Sequence, residues 1–156
     1  MEPKICCFAG HSDIFLEDKI ALEVKLKKEI INLIENEGVN TFYSGGKGDF
    51  DWLCAKCLHE LQEYYSKIKS YLILAYMPHK KDDYTDDLYK KFDGTLYPDI
   101  EKIPPRFAIL KRNEWMIDKS NFLIAYITHD WGGAYKTLTY AQKRKHIKII
   151  NIGKDN

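Results

Sequence analysis

KICCFAGHS, residues 4–12, is a short apolar run that stops at a glycine. A strand with one wet face alternates apolar with polar residues. This run does not alternate, so it reads as a strand buried on both faces. Cys6 and Cys7 are adjacent in it and therefore point to opposite faces. The pattern recurs downstream. Residues 39–43 (VNTFY) run into Ser44-Gly45-Gly46-Lys47-Gly48-Asp49, and residues 71–76 (YLILAY) stop just before Pro78. Residues 121–127 (NFLIAYI) lead to Asp130-Trp131-Gly132-Gly133, and residues 147–152 form a last apolar run.

Helical periodicity fills the intervals. Over residues 17–37, Ile20, Leu22, Val24, Leu26, Ile30, Ile31 and Leu33 make a wide apolar stripe opposite lysines and glutamates, and Gly38 closes it. Helices are also predicted over 50–66, 106–119 and 134–145. The signal is weakest over 79–105, where a short helix, a brief strand at 95–97 and a loop are expected. Asp82, Asp83, Asp86 and Asp87 lack the glycine and spacing of a calcium loop and read as a solvated helix start. Strands alternating with helices predict an α/β fold, a Rossmann-like three-layer domain with a mainly parallel, doubly wound sheet. With 156 residues and no repeat or linker, one domain over 1–156 is expected.

The bulk numbers narrow the function. Hydrophobic residues make up 45% and charged residues 30%, and the formal net charge is +1. Such a balance argues against a broadly basic nucleic-acid binder, leaving room only for a local patch. The apolar runs are too short to span a bilayer, and the first residues lack the features of a signal peptide. A cytoplasmic protein with no membrane partner is expected. Cys54 and Cys57 have C-x-x-C spacing but fall inside a predicted helix, so all four cysteines read as reduced, half-buried thiols. His59, His79, His129 and His146 show no paired ligand spacing and read as structural. No metal and no cofactor are expected.

Chemistry is expected at three strand ends: Gly10-His11-Ser12, Ser44-Gly45-Gly46-Lys47-Gly48 and Gly132-Gly133-Ala134. Open parallel sheets bind ligands outside the carboxyl ends of their strands, where strand order reverses. A helix that starts there offers free N–H groups and a positive dipole end, which suit phosphate. The loops match neither G-x-x-x-x-G-K-[ST] nor G-x-G-x-x-G, which excludes an ordinary kinase, ATPase or dinucleotide dehydrogenase. His11 either contacts a ligand or serves a local turn. Lys47 and Lys136 either meet phosphate or stay solvated. Tyr43, Tyr76, Tyr126 and Trp131 lie at strand ends, where a ring can stack on a base.

With those loops in order, the chain resembles the YpsA-like branch of the SLOG superfamily, relatives of the Lonely Guy and DprA Rossmann-like domains. The matching pieces are FAGH (8–11), SGGKGDFDWLCA (44–55), RNEWMIDKSNFLIAY (112–126) and GGAYKTLTYA (132–141). The resemblance implies a site for a nucleotide-like, ribose-bearing ligand at the strand ends. Arg112 and Asn113 lie in R-N-x-x-M, similar to the R-K-x-x-M of Lonely Guy enzymes. Arg112 is a candidate phosphate fork or a helix arginine pairing with Glu114 or Asp118. Asn113 is a candidate for a sugar hydroxyl or for satisfying a loop, and Asp51, which matches a recurring family aspartate, is a candidate to hold a ribose hydroxyl, to act as a base, or to cap the second helix with Asp49. Gly132, Gly133 and Thr137 match part of P-G-G-x-G-T-x-x-E, but Trp131 replaces proline, Lys136 replaces glycine and Tyr140 replaces glutamate. Ser12 stands where the YpsA-like proteins have arginine.

Three functions follow. The first is binding, by sensing or sequestering, of a nucleotide-derived small molecule such as an ADP-ribose-like signal, in one version during phage–host conflict. The second is hydrolysis or transfer at a ribose N-glycosidic bond, with Asp51 in place of the missing glutamate. The third is DprA-like DNA binding, which the near-neutral charge argues against. A homo-oligomer, a dimer or a dimer of dimers, is expected from the resemblance and from aromatic residues left for an interface: Tyr64, Tyr65, Tyr84, Tyr89, Trp115 and Tyr135.

Overall fold

Strand β1 (Ile5–Gly10) is the axis of the protein, and everything else is arranged to its left or right. The computed structural model describes residues 2–76 and 83–154, apart from the side chains of 83–86. Asp82, His79 and the side chains of Asp83, Tyr84 and Asp86 therefore lie outside the described residues. After β1 come α1 (Leu16–Glu37), β2 (Thr41–Ser44), α2 (Asp49–Leu61), β3 (Lys69–Ile73), α3 (Asp83–Lys90) and β4 (Gly94–Leu96). The chain then returns through α4 (Pro105–Lys119) to β5 (Phe122–Tyr126), α5 (Gly133–Gln142) and β6 (Lys148–Asn151). Among the described residues the sheet has six strands in the order β4-β3-β2-β1-β5-β6, and each neighbouring pair is parallel. This is the doubly wound, three-layer arrangement that alternating strands and helices predict.

The two faces of β1 explain the paired cysteines. Cys6 packs with Phe8, Phe42 and Ile124 against Leu22, Leu26, Ile30 and Leu33 of α1 and Cys54, Cys57 and Leu58 of α2. Cys7 packs with Ala9, Leu123 and Ala125 against Met116 and Ile117 of α4 and Leu138 and Ala141 of α5. Both faces are dry, so β1 and β5 are apolar throughout. All four cysteines are buried free thiols. No described helix is long and apolar enough to cross a membrane.

Some boundaries differ from the sequence-based expectation. The α1 stripe is narrower: Ile20 and Val24 are 77% and 65% exposed, because the face that packs on the core is the one carrying Leu22, Leu26, Ile30 and Leu33, with Ile31 and Ile34 at its margin. Helix α2 ends at Leu61, where the Leu61 carbonyl accepts the N–H groups of Tyr64 and Tyr65 and turns the chain. Strand β3 lies two residues earlier than expected, since Thr41 pairs with Lys69 and Asp93 accepts the Ser70 N–H.

Candidate functional site

The strand order reverses at β1. From its carboxyl end the chain turns towards α1 on one face, while β5 beside it turns towards α5 on the other. The two loops part, and a cavity of about 830 Å³ opens between them. That is within the range of small-molecule sites, about 300–1,000 Å³.

His11, just past β1, and His129, past β5, meet across this opening. Their rings are stacked 3.7 Å apart at 14°, and Trp131 stacks on the other side of His129 at 3.8 Å and 19°. His11 Nε2 accepts the Thr128 N–H at 2.8 Å, which needs that nitrogen unprotonated. Burial first, and then the neighbouring His129, hold the His11 pKa below its usual value. The His11 and Tyr126 rings make a T-shaped contact, 5.9 Å between centroids, and Tyr126 stacks on Phe50 in the core. Phe50 in turn lies over Gly10, where any side chain would strike its ring at 2.2 Å. Gly10 is thus explained by packing, independently of any ligand.

The two glycine loops are entered in the same conformation. Gly48 before α2 has φ 92 and ψ 173, and Gly132 before α5 has φ 94 and ψ 174. This region is open essentially to glycine alone. Beyond that the helix starts differ. The first turn of α2 carries two acids that bond neighbouring loops and do not cap the helix: Asp49 Oδ2 accepts the Ile14 N–H and Asp51 Oδ2 accepts the Lys47 N–H, each at 2.9 Å. The Gly46 N–H is used by Ser44 Oγ. At α5 there is no acid in the first turn and no side-chain cap, and Gly132 and Gly133 line the cavity. Thr137 Oγ1 donates to the Gly133 carbonyl at 3.1 Å.

Asp51 and Arg112 form the floor. Asp51 is buried, and burial raises its pKa to about 6 against the lowering pull of the Lys47 N–H and of Arg112. Arg112 is buried too. Its Nη1 donates to the Gly45 and Ile73 carbonyls, both at 3.0 Å, and its Nε donates to Asn113 Oδ1 at 2.8 Å. The guanidinium therefore ties α4 to the ends of β2 and β3, in place of the helix ion pairs with Glu114 or Asp118 that sequence allowed.

Of the candidate residues, Gly10, His11, Lys47, Asp51, Arg112, Asn113, Gly132, Gly133 and Thr137 line the cavity. Ser44, Gly45, Gly46, Gly48 and the exposed Lys136 do not line it. Tyr140 is not among the lining residues; its hydroxyl donates to Asp118 and its ring lies under Arg144. His129 read from sequence as structural, yet it stacks in the middle of the site. Its signal was position: in a doubly wound sheet the residues just past β1 and β5 face each other. Phe15 and Asp18, from the start of α1, also line the cavity and carried no motif.

No protein-family model and no curated protein sequence matches the chain. Its fold is similar to solved structures. One is DNA processing protein A from Helicobacter pylori, described for its single-stranded DNA binding mode: TM-score 0.61 at 18% identity, covering 90% of this chain and 61% of that one. Another is DprA from Streptococcus pneumoniae: TM-score 0.62 at 15% identity, covering 94% of this chain and 49% of that one. The chain thus spans about half to three-fifths of the proteins it resembles. The likeness establishes the Rossmann-like fold and agrees with the SLOG resemblance, without singling out its YpsA-like branch. It also corrects the expectation that a nucleic acid can be set aside as a partner. A protein of this fold is described as binding single-stranded DNA, and a net charge of +1 averages over the whole surface and says nothing of one crevice.

Proposed function

We propose that the chain is a nucleotide-binding module whose crevice takes the phosphate and ribose of a nucleotide-derived small molecule, such as an ADP-ribose-like signal, in order to sense or sequester it. The start of α5 carries this reading. It opens on the cavity with no acid in its first turn, whereas the first turn of α2 carries the negative charges of Asp49 and Asp51. A helix amino end of this kind favours a phosphate. Among the other lining residues, Lys47 adds a cation and Asp51 an acceptor for a ribose hydroxyl.

Calorimetry against AMP, ADP-ribose, NAD and cyclic nucleotides tests the reading. Binding in the micromolar range is expected for at least one of them, and no binding below millimolar sinks it. The variant pair Gly133→Ala and Gly133→Asp sharpens the test, since a side chain at Gly133 meets nothing within 4 Å. Alanine should bind as the wild type does. Aspartate should weaken binding at least about tenfold, because it sets a negative charge where the phosphate would lie.

Two observations favour other readings. The fold likeness to the Helicobacter pylori protein, with exposed Phe15 and Trp131 at the cavity, favours a single-stranded nucleic acid. Anisotropy with oligothymidylates separates this from the first reading: affinity that climbs with length and falls steeply with salt means a strand is bound. The Asp51 pKa of about 6 suits a general acid or base. Release of free base from a nucleoside monophosphate, lost in Asp51→Asn, would establish an N-glycosidic activity.

A further inference from the structure

We infer that the open face of Trp131 is the seat of the ligand's base, so that the crevice selects planar, base-bearing ligands over bare sugar phosphates. This rests on the reading of the crevice as a nucleotide site and adds the part of the ligand that the phosphate argument leaves open.

The case begins with a tryptophan where water should disfavour it. Trp131 is 67% exposed, yet its ring is not left to wander. It is the outermost plate of a column: His11, His129 and Trp131 lie face to face at 3.7 and 3.8 Å, within 20° of parallel. The column is anchored below. The Thr128 N–H holds His11, Tyr126 makes a T-shaped contact with the His11 ring, and Phe50 backs Tyr126. Among the described residues no second ring covers Trp131. The column is an aromatic platform, and its next layer at the same spacing would be another flat ring.

Connectivity supplies the second half. Trp131 immediately precedes Gly132 and Gly133, whose backbone opens α5 onto the same cavity. A base on the indole and a phosphate at the start of α5 are therefore one or two residues apart, the reach of a single nucleotide. Stacking on an aromatic face tolerates any base, since each has a π face. The platform thus selects for the presence of a base and discriminates little among bases.

The test compares AMP, ribose 5-phosphate and a short oligothymidylate by calorimetry on the full chain, in the wild type, Trp131→Ala and Trp131→Phe, with circular dichroism to verify folding. AMP should bind the wild type at least about tenfold more tightly than ribose 5-phosphate. Trp131→Ala should remove most of that difference while leaving ribose 5-phosphate unchanged, and Trp131→Phe should restore much of it. If AMP and ribose 5-phosphate bind the wild type equally, or if Trp131→Ala leaves AMP affinity intact, the inference is wrong while the phosphate site stands. If Trp131→Ala weakens both ligands alike, Trp131 shapes the loop and does not seat the base. If neither small ligand binds, the nucleotide-module reading fails. The oligothymidylate then decides: affinity lost in Trp131→Ala and regained in Trp131→Phe supports a base on the indole, and affinity unchanged overturns it.

Discussion

Asp51 shows how one residue can be both a fold constraint and a chemical resource. Its folded pKa of about 6 exceeds the ordinary aspartate value of 3.8. Between those values the folded chain holds more protons than the unfolded one, so this group's contribution to stability falls as pH rises from about 4 to about 6. The full effect is about 3 kcal/mol at most, two pKa units at 1.36 kcal/mol each. His11 works in the opposite sense. Its folded pKa lies below 6.5, so its contribution rises with pH below that value. Asp51→Asn keeps an oxygen for the Lys47 N–H and removes the charge. Thermal unfolding across pH should show the variant a few degrees more stable than the wild type at pH 7–8 and about equal to it near pH 4. A wild type that gains stability relative to the variant between pH 4 and 6 would mean the carboxylate is held by Arg112 more strongly than burial opposes it.

At the scale of elements, α2 and α5 begin alike and are supported differently. Gly48 and Gly132 share a backbone conformation that costs other residues about 1–3 kcal/mol. A side chain at Gly132 would meet only a His129 carbon at 4.0 Å, whereas at Gly48 it would strike the Ser12 backbone at 2.7 Å. The Asp49 N–H also donates to the Ser12 carbonyl at 2.7 Å, so the loops after β1 and β2 are stitched together there. Urea unfolding should therefore show Gly48→Ala losing clearly more stability than Gly132→Ala. Equal losses would mean the loop after β1 can move aside. Helix α1 offers a parallel contrast. Leu26→Ala, at a fully buried position, should cost about 2–5 kcal/mol, while Ile20→Lys should cost the monomer almost nothing.

For the whole molecule, the expectation of a homo-oligomer, a dimer or a dimer of dimers, becomes a proposal of a dimer on a different surface. Trp115 stacks on Tyr43, and Tyr65, Tyr89 and Tyr135 pack against the core, so most of the rings first assigned to an interface are used within the chain. The exposed apolar row is Leu16, Ile20 and Val24 on the outer face of α1, at 80%, 77% and 65%. Glu17 and Lys25 flank it, and a two-fold axis at Ala21 between antiparallel copies would set each against its opposite on the partner. Light scattering at micromolar concentration should give twice 18.3 kDa, and Ile20→Lys should return it to 18.3 kDa. A wild-type mass of 18.3 kDa across a tenfold dilution series would end the proposal of a dimer.

The amino-acid sequence alone determined the alternation of strands and helices, the two-faced burial of β1 and the glycine loops at the strand ends. Each rests on periodicity or on a local backbone requirement, and both are written in neighbouring residues. Even the brief strand at Gly94–Leu96 left a trace of this kind. Which loops meet was decided by the tertiary structure. His11 and His129 are far apart in the chain and come within 3.7 Å only because β5 returns to pair beside β1. Arg112 reaches the Gly45 and Ile73 carbonyls only because α4 crosses back over the sheet. The exposed half of the α1 stripe is of the same kind: helical periodicity marks an apolar face, but the width of the sheet beneath it sets how much is covered.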